Sequence, residues 1–320
     1  MKLGILCVYL VSPEEEGLLD LHLSQIRKCT KQPYQIYAAI VRTPQYLADK
    51  IYGYHDIDVI CKDDASLRGM YEHSYYLEKL NAAAIEDGVT HVVTLHLDSF
   101  PINSNWFDSL FSRLDKNIVI GSLEKINTAC IFYKADFFSK YRASYLMPNA
   151  LECTKQQNDF FSEYQVINHS GTGLFYAAYK SDAKGVFLEE QKKHIGYGQY
   201  AGFFDGGIFH LGGVVRFTEL KRKSAVLCFW LDLLPSFMAI WLFKIYQLAA
   251  LFKCKIKYVF SKQPVDTNER VIKSSTEVRL SLWSTSFLVH QRKDYERCYK
   301  ALLDQTNDYL ENPEKFHKPY

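Results

Sequence analysis

The chain has 320 residues, 48% of them hydrophobic and 23% charged, a globular composition that excludes a disordered polymer and a multi-span membrane protein. Thirty-eight basic residues nearly balance 36 acidic ones, so no global field draws the chain to nucleic acid. The eight cysteines are scattered, with no C-x-x-C pair and no Cys/His spacing suited to zinc, which points to reduced thiols and a cytoplasmic setting.

In chain order, Leu3–Val11 reads as a buried first strand. A signal peptide fits it less well, because the run is short, lacks a small-residue cleavage site and is followed by Glu14, Glu15 and Glu16. Leu18–Cys29 carries apolar residues at helical spacing; Gln35–Val41 is a second strand, Tyr46–Tyr52 a short helix and Ile57–Cys61 a third strand. Met70–Asp87 reads as a helix ended by Gly88, and His91–Leu97 as a β-branched strand running into Asp98. This β-α-β-α-β order predicts an α/β fold with a doubly wound, mostly parallel sheet covered on both faces. Ligands of such sheets gather at the carboxyl ends of the strands. Here those ends are Tyr9–Pro13, Arg42, Lys62–Asp64 and Asp98–Ser99.

Further on, Asn105–Leu114 reads as helix, Ile118–Gly121 and Ala129–Tyr133 as strands, and Asp136–Tyr141 as a helix start. Gly173–Lys184 reads as a helix, Val186–Leu188 as a strand, and 196–213 is glycine-rich. These boundaries give a catalytic domain over 1–221, an apolar helical segment over 222–262 and a C-terminal helical extension over 263–320. Ala225–Phe252 is nearly all apolar, yet Asp232 and Lys244 would each cost roughly 2.5–3.5 kcal/mol near a membrane centre, and Pro235 would kink a helix. With Lys221–Lys223 before it and Lys253, Lys255 and Lys257 after it, the segment suits attachment to an anionic cytoplasmic membrane face. A core or dimer helix and a true span are the other readings of the same run.

The chemistry centres on His91-Val-Val-Thr-Leu-His-Leu-Asp98-Ser99-Phe100-Pro101. A carboxylate at the end of a buried strand can hold a hard divalent cation, which in turn neutralises a diphosphate. An Asp in that place also caps turns. The stretch Arg68–Asn81 with Val92–Leu97, Asp98–Ile102 and Trp106 resembles GT-A type glycosyltransferases, family 2-like. Those enzymes carry a helix, then an apolar strand ending in Asp-X-Asp, often with a Pro and a helical Trp after it. The resemblance covers roughly residues 1–220 and implies a nucleotide-diphospho-sugar transferase fold with an apolar C-terminal extension. It implies Asp98 as a metal ligand for Mn²⁺ or Mg²⁺; Phe100 stands where the second Asp would be.

A second match is Asp205-Gly206-Gly207-Ile-Phe-His210-Leu-Gly212-Gly213-Val-Val-Arg216. By resemblance His210 completes the metal site, and Arg216 offsets charge on the leaving diphosphate. Asn168–Gly173 opens a helix where the family often places an acidic base. No acid stands there, so His169 or the nearby Asp159 is the candidate base. Donor recognition falls to Tyr9, Val11, Arg42, Asp64, Arg68 and Ser99.

The implied function is transfer of a sugar from a nucleotide-sugar donor to a hydroxyl of a glycan or lipid-linked acceptor, metal-assisted and inverting. The missing second acid and missing base acid motivate an alternative, an inactive GT-A-like binding or assembly subunit at a membrane. A nucleotidyltransferase would show a glycine-rich basic loop after the first strand, where Glu14–Glu16 stand instead. The oligomeric state is open from sequence.

Overall fold

The computed structural model describes residues 1–63, 65, 70–123, 126–145, 154–166, 169–193 and 202–210, and beyond them 233–235, 238, 241, 242 and 245. The chain divides into two compact units, Met1–Lys193 with Ala201–Gly212, and His194–Tyr200 with Gly213–Tyr320. All the elements below belong to the first unit. In the second, Leu233, Met238, Trp241 and Ile245 are exposed. Among the described residues no helix is long and apolar enough to cross a membrane.

The first half alternates strand and helix: β1 (Leu3–Tyr9), α1 (Glu16–Cys29), β2 (Tyr34–Ile40), α2 (Gln45–Tyr52), β3 (Ile57–Lys62), α3 (Met70–Glu86) and β4 (His91–Thr94). β1 is apolar almost without interruption because it is covered on both faces. Leu6, with Tyr37 and Ala39 of β2, packs on Tyr76, Leu77, Leu80 and Ala84 of α3. Cys7 and Tyr9 meet His22 of α1 instead. α3 stops at a glycine, as expected: Gly88 takes a φ of +71°, and the Gly88 and Val89 amides bond the Ile85 and Ala84 carbonyls at 3.0 and 3.1 Å.

The second half comprises β5 (Ser99–Pro101), α4 (Trp106–Phe111), β6 (Ile118–Ser122), β7 (Ile131–Lys134), α5 (Phe137–Tyr141), α6 (Lys155–Tyr164), α7 (Thr172–Tyr179), β8 (Lys184–Phe187), β9 (Glu190–Lys193), β10 (Gly202–Phe204) and β11 (Ile208–His210). The main sheet has seven strands in the order β3-β2-β1-β4-β7-β6-β8. It is an α/β sheet that is mostly parallel, with β7 antiparallel to both its neighbours, β4 and β6. A smaller antiparallel sheet, β5-β11-β10-β9, lies beside the carboxyl end of β4.

Several boundaries differ from the sequence reading. The strand expected over His91–Leu97 ends at Thr94, so Asp98 sits in a turn between β4 and β5. The helix expected over Gly173–Lys184 ends at Tyr179, and β8 starts at Lys184. α6 was not expected at all, although Thr154 and Gln157 form a capping box at its start. The expected helix over Lys293–Leu310 and most of Ala225–Phe252 lie outside the described residues.

Candidate metal centre

The turn after β4 is held by one hydroxyl. Ser99 Oγ accepts the His96 amide at 2.8 Å and donates to the Ala129 carbonyl, and its residue is wholly buried. At the last residue of β4, Thr94 Oγ1 donates to the Thr128 carbonyl at 2.8 Å and accepts the Ile131 amide at 2.8 Å. The loop before β7 is thereby tied to the end of β4 at two levels. His96 and Asp98 leave this clamped turn with His96 Nδ1 4.0 Å from Asp98 Oδ1.

The third member comes from more than a hundred residues away. β11 pairs antiparallel with β5 in the register Ile208 to Pro101, Phe209 to Phe100 and His210 to Ser99. His210 therefore lies next to Asp98, with Nε2 3.7 Å from Asp98 Oδ1. The β10–β11 hairpin that carries it is anchored at its tip. Asp205 takes a salt bridge from Arg113 at 2.8 Å and the Glu189 amide at 3.0 Å. Gly207 adopts φ +75°, its carbonyl accepts the Ile102 amide at 2.9 Å, and a Cβ there would come within 2.6 Å of the Asn103 side chain. Glycine is required on both counts.

His96, Asp98 and His210 each offer one ligand atom, all within 4.8 Å of one another. Asp98 Oδ1 is buried and has no hydrogen-bond partner among the described residues. Leaving a buried carboxylate oxygen unmatched is costly, and a cation relieves the cost. Two imidazoles and a carboxylate are a good donor set for a divalent metal, and one ion can reach all three at ordinary bond lengths of about 2.0–2.6 Å. The residues present thus fit a metal.

Burial lowers three histidines at or beside this group below the usual imidazole range. Burial pushes His96 down to about 3, and the neighbouring His73 adds to the shift while Asp98 opposes it. His73 is itself pushed down to about 4 by burial and then by His169. Its ring meets that of His96 edge-on at 5.1 Å, and its Nδ1 is 3.2 Å from Ser170 Oγ. His22 is lowered to about 4 by burial; its Nδ1 donates to the Ser99 carbonyl at 3.0 Å, so Nε2 faces the Cys7 thiol.

The other residues singled out from the sequence scatter. Ser99 is spent on the turn and has no surface for a ligand. Tyr9 is wholly buried edge-on to His22, and Val11, 1% exposed, donates its amide to Thr43 Oγ1, so neither can touch a nucleotide base as expected. Arg42 has its guanidinium on Glu72 and its amide on Asp63 Oδ1 at 2.7 Å. Asp159 is exposed on α6, where its charge acts on Tyr179. His169 is half-buried just ahead of α7, with Nδ1 2.8 Å from the Ser170 carbonyl. Asp64, Arg68 and Arg216 lie outside the described residues. His96 was missed as a ligand, because the sequence reading placed it inside a strand that in fact ends at Thr94.

No family model matches the sequence, and no curated protein matches it. Among solved structures, the chain is similar to Staphylococcus aureus TarS 1–349 in complex with UDP-GlcNAc, at 8% identity over 59% of this chain and 56% of that one, with a TM-score of 0.37. It is also similar to the mannosyltransferase PcManGT of Pyrobaculum calidifontis in complex with GDP-Man and Mn²⁺, at 10% identity over 90% and 84% of the two chains, with a TM-score of 0.41. A cytidylyltransferase of Leptospira borgpetersenii is similar at 14% identity over 44% and 64%, with a TM-score of 0.32. The chain thus spans less than two thirds of the length of the TarS fragment and of the cytidylyltransferase.

The position of the absent second acid yields a test. Phe100 is wholly buried, with its ring 5.3 Å from that of Phe209. Restoring Asp-X-Asp by Phe100→Asp removes that packing and buries a charge, and should destabilise the unit by at least about 3 kcal/mol without tightening metal binding. Thermal melts and a metal titration check both; a stable variant with tighter binding would show that this side chain reaches the metal.

Proposed function

We propose that the chain is a glycosyltransferase that moves a sugar from a nucleotide-diphosphate donor to a hydroxyl of a glycan or lipid-linked acceptor, with inversion. The observation that carries this reading is the meeting of Asp98 and His210, at the carboxyl end of a central strand, around an unmatched buried carboxylate oxygen. That is the place where a doubly wound sheet binds ligands. A divalent ion held there supplies charge neutralisation for a leaving diphosphate. Asp98, His96 and His210 hold and orient it.

His169 is the better of the two candidate bases. Its Nδ1 lies 2.8 Å from a carbonyl and so carries the proton, which leaves Nε2 with a lone pair. Burial lowers its pKa, keeping it neutral. A neutral imidazole can take the proton from an acceptor hydroxyl as that oxygen attacks. Asp159, exposed on a different helix, has no described contact with this group.

The apolar stretch 225–252 then serves as a membrane contact beside a lipid-linked acceptor. Of its described members, Leu233, Met238, Trp241 and Ile245 are 60, 44, 64 and 59% exposed while Leu234 and Leu242 are half-buried, a one-sided exposure that suits a surface role.

Three measurements test these assignments. In calorimetric titrations with a panel of nucleoside diphosphates, at least one should bind in the presence of Mn²⁺, and Asp98→Ala should weaken it about 100-fold. Failure of every nucleotide with every metal would sink the transferase reading, while binding without turnover of any nucleotide-sugar would favour the inactive subunit. His169→Ala should slow transfer by about 10²–10⁴-fold and leave nucleotide binding unchanged; an unaltered rate removes it as base. The chain should sediment with vesicles containing anionic lipid, and Trp241→Ser with Ile245→Ser should release it. Equal recovery of both proteins in the supernatant refutes membrane contact.

A further inference from the structure

We infer that His96, Asp98 and His210 form a site that takes a transition-metal ion before any nucleotide binds, and that His96 makes it discriminate against Mg²⁺. The inference adds a metal preference and an order of binding to the proposed transferase, and rests on that reading only for what the ion is for.

A site with one carboxylate relies on substrate phosphates and water for most of its ligands. Here three protein donors already converge: His96 Nδ1 and His210 Nε2 lie 4.0 and 3.7 Å from the same Asp98 oxygen. Three protein ligands with remaining positions open is the usual make-up of a metal site that is loaded on its own. Two of the donors are also largely withdrawn from water, the side chains of Asp98 and His210 being 6% and 16% exposed, while that of His96 is 32% exposed. Little reorganisation is needed to bind.

The orientation of His96 is fixed from behind. Its Nε2 lies 3.0 Å from Thr128 Oγ1, and Thr128 is buried and held by Thr94 through its carbonyl. With Nε2–H donating to that hydroxyl, the lone pair is on Nδ1, the atom that faces Asp98. The edge of His73 limits rotation from another side. Loss of the Thr128 hydroxyl should therefore be felt at the metal, although Thr128 does not reach it.

The selectivity follows from the donors. Mg²⁺ is hard, prefers oxygen and gives up its waters reluctantly. Two imidazoles and a single carboxylate provide only one negative charge, and nitrogen ligation favours Co²⁺, Ni²⁺ and Zn²⁺ over Mn²⁺, and all of them over Mg²⁺. Putting a carboxylate in place of His96 would make Asp-X-Asp over 96–98, two residues earlier in the chain, and harden the site.

The full chain, stripped with chelator and free of nucleotide, should be titrated with Co²⁺ and followed by visible absorption, with Mg²⁺ as competitor. The expected result is saturable Co²⁺ binding that a roughly 100-fold excess of Mg²⁺ does not displace. Thr128→Val should weaken Co²⁺ about 10-fold, and His96→Ala by more, with the circular dichroism unchanged. His96→Asp should narrow the gap between Co²⁺ and Mg²⁺, which keeps the proposal testable if His96→Ala misfolds. Absence of Co²⁺ binding without nucleotide, equal competition by Mg²⁺, or parental selectivity in His96→Asp overturns it. If nucleotide and metal bind only together, this inference falls and the transferase stands; if metal binds alone and no nucleotide ever does, the reverse holds.

Discussion

The register of β5 against β11 governs whether there is a site at all. His210 stands opposite Ser99 because three residue pairs of a short antiparallel ladder are in step. Side chains alternate faces along a strand, so a slip of one residue would turn His210 away from Asp98. Three pairs are few to fix a register, and the hairpin is secured by other means. Phe100 packs on Phe209 within the ladder, and the Asp205–Arg113 salt bridge and the close fit of Gly207 to Asn103 hold the tip. Phe100, which stands where the sequence resemblance would put a second acid, is thus part of what brings His210 into place beside Asp98.

The parallel half of the sheet was legible because β1, β2 and α3 each carry a local signal. Continuous apolar runs mark strands buried on both faces, and helical spacing ended by Gly88 marks α3. Most helices and strands from 105 to 188 were legible in the same way, and the strands that were not share a common reason. β5, β9, β10 and β11 have three or four residues each, too few for a period to show, and β5 finds its partner β11 more than a hundred residues on. The antiparallel placement of β7 is likewise set by pairing with β4 and β6 and leaves no mark in its own residues.

Within the site, Asp98 and His210 could be picked from the sequence by resemblance, but His96 could not be told from a strand residue. Its role depends on β4 ending at Thr94, and that ending depends on Ser99 Oγ spanning from the His96 amide to the Ala129 carbonyl. A strand continued to Leu97 would have hidden the geometry. The same hydroxyl explains why Ser99 misleads as a ligand-binding residue: a serine after an acid at a strand end is equally a turn clamp, and burial decides which. Tyr9 and Val11 mislead similarly, since the strand end they occupy is roofed by α1 and the Thr43 turn.

The surroundings of Asp98 also bear on why a cation belongs there. Four histidines, His22, His73, His96 and His169, lie on or behind this side of the sheet, and burial lowers the pKa of each. Neutral imidazoles provide lone pairs and hydrogen bonds but no positive charge, so none of the four can balance the carboxylate at neutral pH. Protonating one of them would set a second cation close to its neighbours, as the lowering of His96 by His73 and of His73 by His169 shows. A group of imidazole donors around a buried carboxylate oxygen that is unmatched among the described residues is therefore better completed by a divalent ion than by a proton, and the excess positive charge that results is what an incoming diphosphate would meet.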